Sequence, residues 1–97
     1  QPKFSLPPEK LLEMKGMVAQ AFESMHVYLD ADLSIQKLAN ILQVSPALVS
    51  AVINQAFGRS FRSLVNDYRL EHVKRKLVDP ASAHLSIAGI AYESGFN

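Results

Sequence analysis

"SIQKLANILQVSPALVSAVINQAFG", residues 34–58, encodes two short helices and the turn between them in one uninterrupted run. Ser34 precedes an apolar face of Ile35, Leu38, Ala39 and Leu42, spaced three and four apart. A serine hydroxyl at that point accepts from the free N–H groups of a first helical turn. Gln43-Val44-Ser45 breaks the pattern, and Ser45 with Pro46 starts the next helix. Proline fits a first helical position because the N–H it lacks would have no partner there. Gly58 closes that helix, being the residue best suited to the left-handed position after one. Helix, tight turn, helix is the outline of a helix-turn-helix.

Helical spacing continues on both sides. In residues 4–29, Leu11, Met14, Val18, Ala21, Phe22, Met25 and Leu29 form a stripe that Pro7 and Pro8 lead into and Gly16 weakens. A stripe of aliphatic and methionine side chains at this spacing reads as core rather than as a cofactor pocket. Ser60 caps a longer helix bearing Phe61, Leu64, Val65, Tyr68, Val73 and Leu77, which Asp79 and Pro80 stop. At ~1.5 Å per residue that helix is roughly 28 Å long, a spacer. After a loop over 79–84, Ser86 caps a last helix with Ile87, Ile90 and Ala91 inward and Gly95 as its terminator. No stretch alternates apolar and polar residues between turn signals, so strands are not expected.

Laid over each other at an offset of 52, "SIQKLANILQVS" from Ser34 and "SIAGIAYESGFN" from Ser86 share an outline. Ser34 pairs with Ser86, Ile35 with Ile87, Leu38 with Ile90, Ala39 with Ala91, Val44 with Phe96 and Ser45 with Asn97. A small alanine in mid-helix lets a second helix cross closely. Each copy reads as helix, turn and the start of another helix. A helical solenoid would also give a repeat, but solenoids stack several near-identical units and no third copy is found.

The 97 residues, 48% hydrophobic and 20% charged, suit one globular domain. No run approaches the ~18–20 apolar residues of a membrane span, and the first residues do not form a signal peptide. With no cysteine, disulfides and thiolate metal sites are excluded. The net charge of +1 hides an uneven distribution: Arg59, Arg62, Arg69, Lys74, Arg75 and Lys76 face only Asp67 and Glu71 between residues 59 and 76. Such a segment points to a surface that meets an anion, the alternative being a solvated helix face. Gln1 and Asn97 at the ends lead us to expect a fragment of a longer chain.

With these features in place, the chain resembles the DNA-binding domain of the AraC/XylS family of bacterial transcription regulators. The resemblance covers roughly residues 18–97 and rests on Leu38-Ala39, Ser45-Pro46, Gly58, Tyr68-Arg69-Leu70, Ile90-Ala91 and Gly95-Phe96 taken together. It implies an all-α fold: a homeodomain-like three-helix helix-turn-helix unit, a long linker helix, and the first helix of a second helix-turn-helix. Residues 1–16 are then a linker or extension, and residues 17–97 the DNA-binding domain, incomplete at its C-terminus. The implied partner is double-stranded DNA, which a chain extended through the second recognition helix would meet in two major-groove segments about one turn, ~34 Å, apart. RNA polymerase contact, a cytoplasmic location and a sensor or inner-membrane region in the parent protein are also implied. Two residues depart from the family pattern: Gln43 stands where glycine is usual in the first turn, and Val73 replaces a usual alanine. The second recognition helix is missing as well.

On residues 46–57, helical spacing turns Val49, Val52, Ile53 and Ala56 inward. The opposite side carries Ala47, Ser50, Ala51 and Asn54, with Leu48 and Gln55 at its margins, six expected base contacts with no charge among them. Short uncharged side chains allow deep approach to base edges in a groove ~12 Å wide. Asn54 or Gln55 suits adenine, Ser50 several bases, and Ala47 or Ala51 a thymine methyl. The family resemblance assigns base reading to the positions of Ala47, Ser50 and Ala51. Phosphate contacts are expected from Arg59 and Arg62 beside the start of the linker helix, from the cap residues Ser34, Ser45 and Ser60, and from Gln36. Lys74, Arg75 and Lys76 read as a solvated face, with Glu71 placed to pair with Arg75. The rival for the bare helix is a packed core or an oligomer contact, which would make the chain a helical interaction or dimerization module. That module, or the fragment through Ile87, Ile90 and Phe96, would self-associate. His26, His72 and His84 are scattered, and neither metal-ligand spacing nor a glycine-rich phosphate loop is present. No catalytic residue, metal or cofactor is expected.

Overall fold

Four serines start four helices. The computed structural model describes residues 6–97, and in it Ser34, Ser45, Ser60 and Ser86 each accept, through the side chain, from the backbone N–H three residues on. The helices they begin are α2 (Ile35–Leu42), α3 (Pro46–Val52), α4 (Phe61–Leu77) and α5 (Ile87–Glu93). Each such cap contributes about 1 kcal/mol. The helix before them, α1 (Pro8–Glu23), has Pro8 in its first turn and no side-chain cap. Short 3-10 turns at Val27–Leu29 and Pro80–Ser82 complete the chain, with no strand among the described residues.

The core is built where α1 lies across α2 and α3. Met14, Val18, Ala21 and Phe22 from α1 meet Leu38 and Ala39 from α2, Val49 and Val52 from α3, Ile53 beyond it, and Leu64 and Val65 from α4. Phe22, Leu38, Val49, Val52 and Ile53 are fully buried, and each aliphatic side chain so removed from water contributes about 1.5–3 kcal/mol. Ala39 is buried too, as expected of a small residue at a helix crossing.

The stripe expected from residue 11 to residue 29 is cut short. α1 ends at Glu23, so Met25 and Leu29 leave its inward face and stand exposed, while Val27 and Tyr28 of the 3-10 turn are buried instead. His26 takes a left-handed conformation (φ 55°) to make that change of direction. α1 runs through Gly16 without a break, and Met14 belongs to the same core as Val18. Residues 1–5, part of the segment expected as an extension, lie outside the described residues.

Both turns of the repeat close in the same way. Gln43 N–H donates to the Asn40 carbonyl (3.2 Å) and Val44 N–H to Ala39 (3.0 Å). At the offset of 52, Gly95 N–H donates to Tyr92 (3.2 Å) and Phe96 N–H to Ala91 (3.1 Å). The residue between is left-handed each time, Gln43 at φ 59° and Gly95 at φ 99°. This paired closure satisfies carbonyls that a helix end leaves open.

α4 has 17 residues, about 25 Å of helix, and is slightly shorter than its sequence pattern suggests. Its N-terminal half carries Leu64 and Val65 into the core, whereas Leu77 at the other end is 53% exposed. α5 packs against α4. Ile90 is buried there, but Ile87, expected inward, is 75% exposed, because α4 is the main element packed on α5 and covers the Ile90 side.

Candidate nucleic-acid interface

The orientation of α3 follows from what it buries. Val49 and Val52, with Ile53 just after, are sealed against α1 and α2, which turns the opposite side outward. Ala47 and Asn54 are exposed there, and Ser50 and Ala51 are half-buried beside them. The side chains of Ser50 and Asn54 have no hydrogen-bond partner among the described residues, so their donors and acceptors point to solvent. Leu48, at one margin, packs onto the core. Gln55 lies on the same margin, beside a shallow cavity lined by Pro8, Leu11, Leu12 and Lys15, and so borders α1 more than the outward row.

The helix expected over 46–57 is not uniform. From Ile53 to Phe57 it widens into a π-helical turn, ended by Gly58 at φ 65°. Such turns recur at functional sites, and this one displaces Asn54 and Gln55 from where a straight α-helix would aim them. It also sets Ile53 fully inside and Phe57 half-buried, with the Lys15 ammonium 5.5 Å from the Phe57 ring centroid.

Three helix starts present polar groups. The Ser34 hydroxyl accepts from Lys37 N–H (3.1 Å), that of Ser45 from Leu48 N–H (3.2 Å) and that of Ser60 from Ser63 N–H (3.1 Å), leaving each O–H proton free to donate. Gln36 is exposed in the first turn of α2. Lys37 is held by Asp30 at 3.2 Å, and Asp30 is kept below its ordinary pKa first by the Asp32 N–H and then by Lys37.

The basic segment is less of a field than its composition suggests. Arg59 is bound to Asp67 (2.8 Å) and to the Ser63 hydroxyl (3.0 Å). Lys74 pairs with Glu71 (3.3 Å), which corrects the expected pairing of Glu71 with Arg75. Arg75 reaches the Tyr28 hydroxyl instead, at 3.4 Å. Arg69 points inward, donating from Nε to the Tyr28 carbonyl (2.8 Å) and from Nη2 to that of Asp30 (2.9 Å), and burial lowers its pKa. Among the described residues, only Arg62 and Lys76 of the six have side chains without a hydrogen-bond or ion-pair partner. Arg62 is exposed and stands with Asn66, Arg69 and Asn97 along an open cleft of about 350 Å³ beside Ala31 and Leu33.

Counted with the basic surface from its sequence, Arg69 turns inward instead; the signal that points to this is its position four residues after the buried Val65 on α4. Its neighbours form an aromatic cluster. Tyr68 stacks on Phe22 at 4.8 Å and donates its hydroxyl to Glu23 (2.9 Å). Burial, reinforced by Glu23, pushes the Tyr68 phenol up to about 12. His72 binds Ser94 at 2.7 Å, while His26, exposed, sets its ring 5.9 Å from that of Tyr28, and His84 is exposed. Among the described residues no group of three or more His, Asp or Glu side chains is placed to hold a metal ion, and no helix is long and apolar enough to cross a membrane.

No curated protein and no solved structure matches the chain. A family model described as a helix-turn-helix domain, of the AraC type, matches residues 38–97. That match takes in most of α2, all of α3, α4 and α5, and both left-handed turns, the elements that set the outward row on its scaffold. With well over half of its length matched and its helices arranged as two turn-linked units on one long helix, the chain belongs to the AraC-type family of DNA-binding helix-turn-helix domains.

Proposed function

We propose that the chain reads DNA sequence by laying the outward side of α3 in a major groove, as part of a bacterial transcription regulator. The observation that carries this reading is the row Ala47, Ser50, Ala51 and Asn54. It is uncharged and short, exposed at Ala47 and Asn54 and half-buried at Ser50 and Ala51, on the second helix of a helix-turn-helix. Asn54 has the paired donor and acceptor that match adenine, Ser50 serves as donor or acceptor, and Ala47 and Ala51 suit thymine methyls. Gln55 contributes at the edge, and Leu48 supports the helix from beneath.

Phosphate grip comes from the rim. Ser34 and Gln36 at the start of α2, Ser45 at the start of α3 and Ser60 at the start of α4 present donors, and Arg62 brings an uncommitted charge. Arg59 joins them only by sharing its guanidinium with Asp67. Such contacts position the protein and carry no sequence information, so the two sets of residues separate by experiment. Action on chromosomal DNA would place the chain in the cytoplasm. RNA polymerase as a second partner, and a sensor or membrane region in the parent protein, rest on the family likeness alone.

The test is selection of duplexes from a random pool by the 97-residue chain, then binding of selected and scrambled duplexes across a salt series. The selected duplex should bind tighter, with affinity falling as salt rises by a log–log slope of about −0.9 per neutralised phosphate. Equal affinity for both duplexes, or binding indifferent to salt, would refute the proposal. A second reading, a dimerization module, draws on the exposed apolar side chains Leu70, Leu77, Val78, Ile87 and Tyr92. Sedimentation decides it: a concentration-dependent dimer lost on Val78→Asp would support that reading.

A further inference from the structure

α5 is fastened to the rest of the molecule largely by polar contacts. Its one buried apolar side chain with large area is Ile90, and Ile90 lies outside the cluster that runs from Met14 to Val65. Two side chains of α4 supply the attachment. His72 Nδ1 lies 2.7 Å from Ser94 Oγ, which donates its proton to the Ile90 carbonyl at 2.8 Å. A hydroxyl has one proton, so His72 is the donor to Ser94 and carries its hydrogen on Nδ1.

Arg69 makes the second attachment. Its fork donates to the Tyr28 and Asp30 carbonyls (2.8 and 2.9 Å), and its guanidinium carbon stands 5.8 Å from the centroid of the Phe96 ring. Gly95 is buried at φ 99°, and a Cβ there would overlap the Tyr28 carbonyl and crowd Arg69 Nε. One guanidinium therefore joins three parts: the loop over residues 28–30 of the first unit, the linker helix that carries it, and the second turn at Gly95-Phe96. A planar group with several fixed donors and a stacking face can hold all three at once, whereas a lysine ammonium offers a single charge on a flexible stem.

We propose that Arg69 is a positioning residue that fixes the angle and distance between the two helix-turn-helix units before DNA is met. A preset spacing removes the cost of ordering the second unit on binding. Its use in DNA recognition rests on the function proposed above, but the geometry it sets does not. The rival role for an arginine in a basic segment is a phosphate contact, and two of its donors are here turned to carbonyls.

The chain has no cysteine, so Asn40→Cys on α2 and Ala88→Cys on α5, both exposed positions, accept a pair of spin labels at defined places. Pulsed dipolar spectroscopy without DNA then reads the distance between units. We expect one narrow distance in the parent chain and loss of that single peak in Arg69→Ala and equally in Arg69→Lys, with far-ultraviolet ellipticity retained. A narrow, unshifted peak in a folded Arg69→Ala chain would overturn the proposal, as would full recovery by lysine. Weakened DNA binding with an unaltered distance would make Arg69 a phosphate contact and overturn it too. Should Arg69→Ala fail to fold, Gly95→Ala forces the second turn away from both the Tyr28 carbonyl and the retained Arg69 guanidinium. The same loss of the narrow peak is expected there, and an unchanged peak counts against the proposal. Because no DNA enters the distance measurement, its result stands whether or not α3 reads bases.

Discussion

Replacing Gln43 by glycine should stabilise the chain. Gln43 holds φ 59° and ψ 45° at the end of α2, where its side chain is exposed and makes no hydrogen bond among the described residues. The closing bonds of the turn run from the backbone of Gln43 and Val44 to Asn40 and Ala39, so Gln43→Gly keeps them all. A residue with a Cβ pays ~1–2 kcal/mol for the left-handed conformation. Glycine removes that strain but gives back ~0.5–1 kcal/mol through the greater freedom of the unfolded chain. The net gain is about 0.5–1 kcal/mol, or about 2–8 °C in Tm for a domain of this size. Urea unfolding followed by ellipticity should show a higher midpoint at unchanged slope. A midpoint that stays put or falls, at the same slope, would refute the strain argument. The matching position in the second turn should answer with the opposite sign. At Gly95 the backbone conformation disfavours any side chain and the Tyr28 carbonyl blocks a Cβ, so Gly95→Ala should cost about 3 kcal/mol or more.

Asn54→Ala should relax preference at one base pair by about 1–3 kcal/mol, whereas Arg62→Ala should weaken selected and scrambled duplexes alike and flatten the salt slope by about one phosphate. Equal loss of preference in both variants would contradict that division. Stability should depend on pH through His72, whose pKa is held below 6.5 by burial first and then by Arg75, Lys76 and His26, with Glu93 opposing and the Tyr28 ring against it. The unfolded chain binds that proton more readily, so the contribution is complete above pH 6.5 and is lost as pH falls through the folded value. His72→Gln should remove this part of the slope, and an identical slope in the variant would rule the assignment out. In a phenolate titration one of the three tyrosines should ionise late, because Tyr68 is pushed up to about 12, and Tyr68→Phe should abolish the late step. Three equivalent tyrosines in the parent would show that the ring is not buried in solution.

What was legible in the sequence is what local chemistry decides. A serine before an apolar run caps a helix whatever lies across from it, and all four serine caps stand where spacing puts them. The left-handed Gln43 was signalled by the family likeness, in which glycine is usual at that turn position, and the structure gives it φ 59°. The inward faces of α2 and α3 follow from period alone. The features that spacing missed are tertiary. Met25 and Leu29 continue the α1 period, yet the chain turns at His26 so that Val27 and Tyr28 reach the core instead. The π-helical turn after Val52 has no marker in residue type, since Ile53, Asn54, Gln55 and Ala56 fit an α-helix equally well. The basic segment misleads because a count of charges cannot show that Arg59 is spent on Asp67 or Arg69 on carbonyl groups.

The central claim is that the outward side of α3 meets the bases. Backbone amide shifts of the isotope-labelled chain, followed during titration with its selected duplex, test it directly. The account predicts that the largest perturbations fall on residues 45–54, with a second group at residues 34–37 and at Arg62. Perturbations concentrated on the C-terminal half of α4 and on α5, with residues 45–54 unmoved, would contradict it.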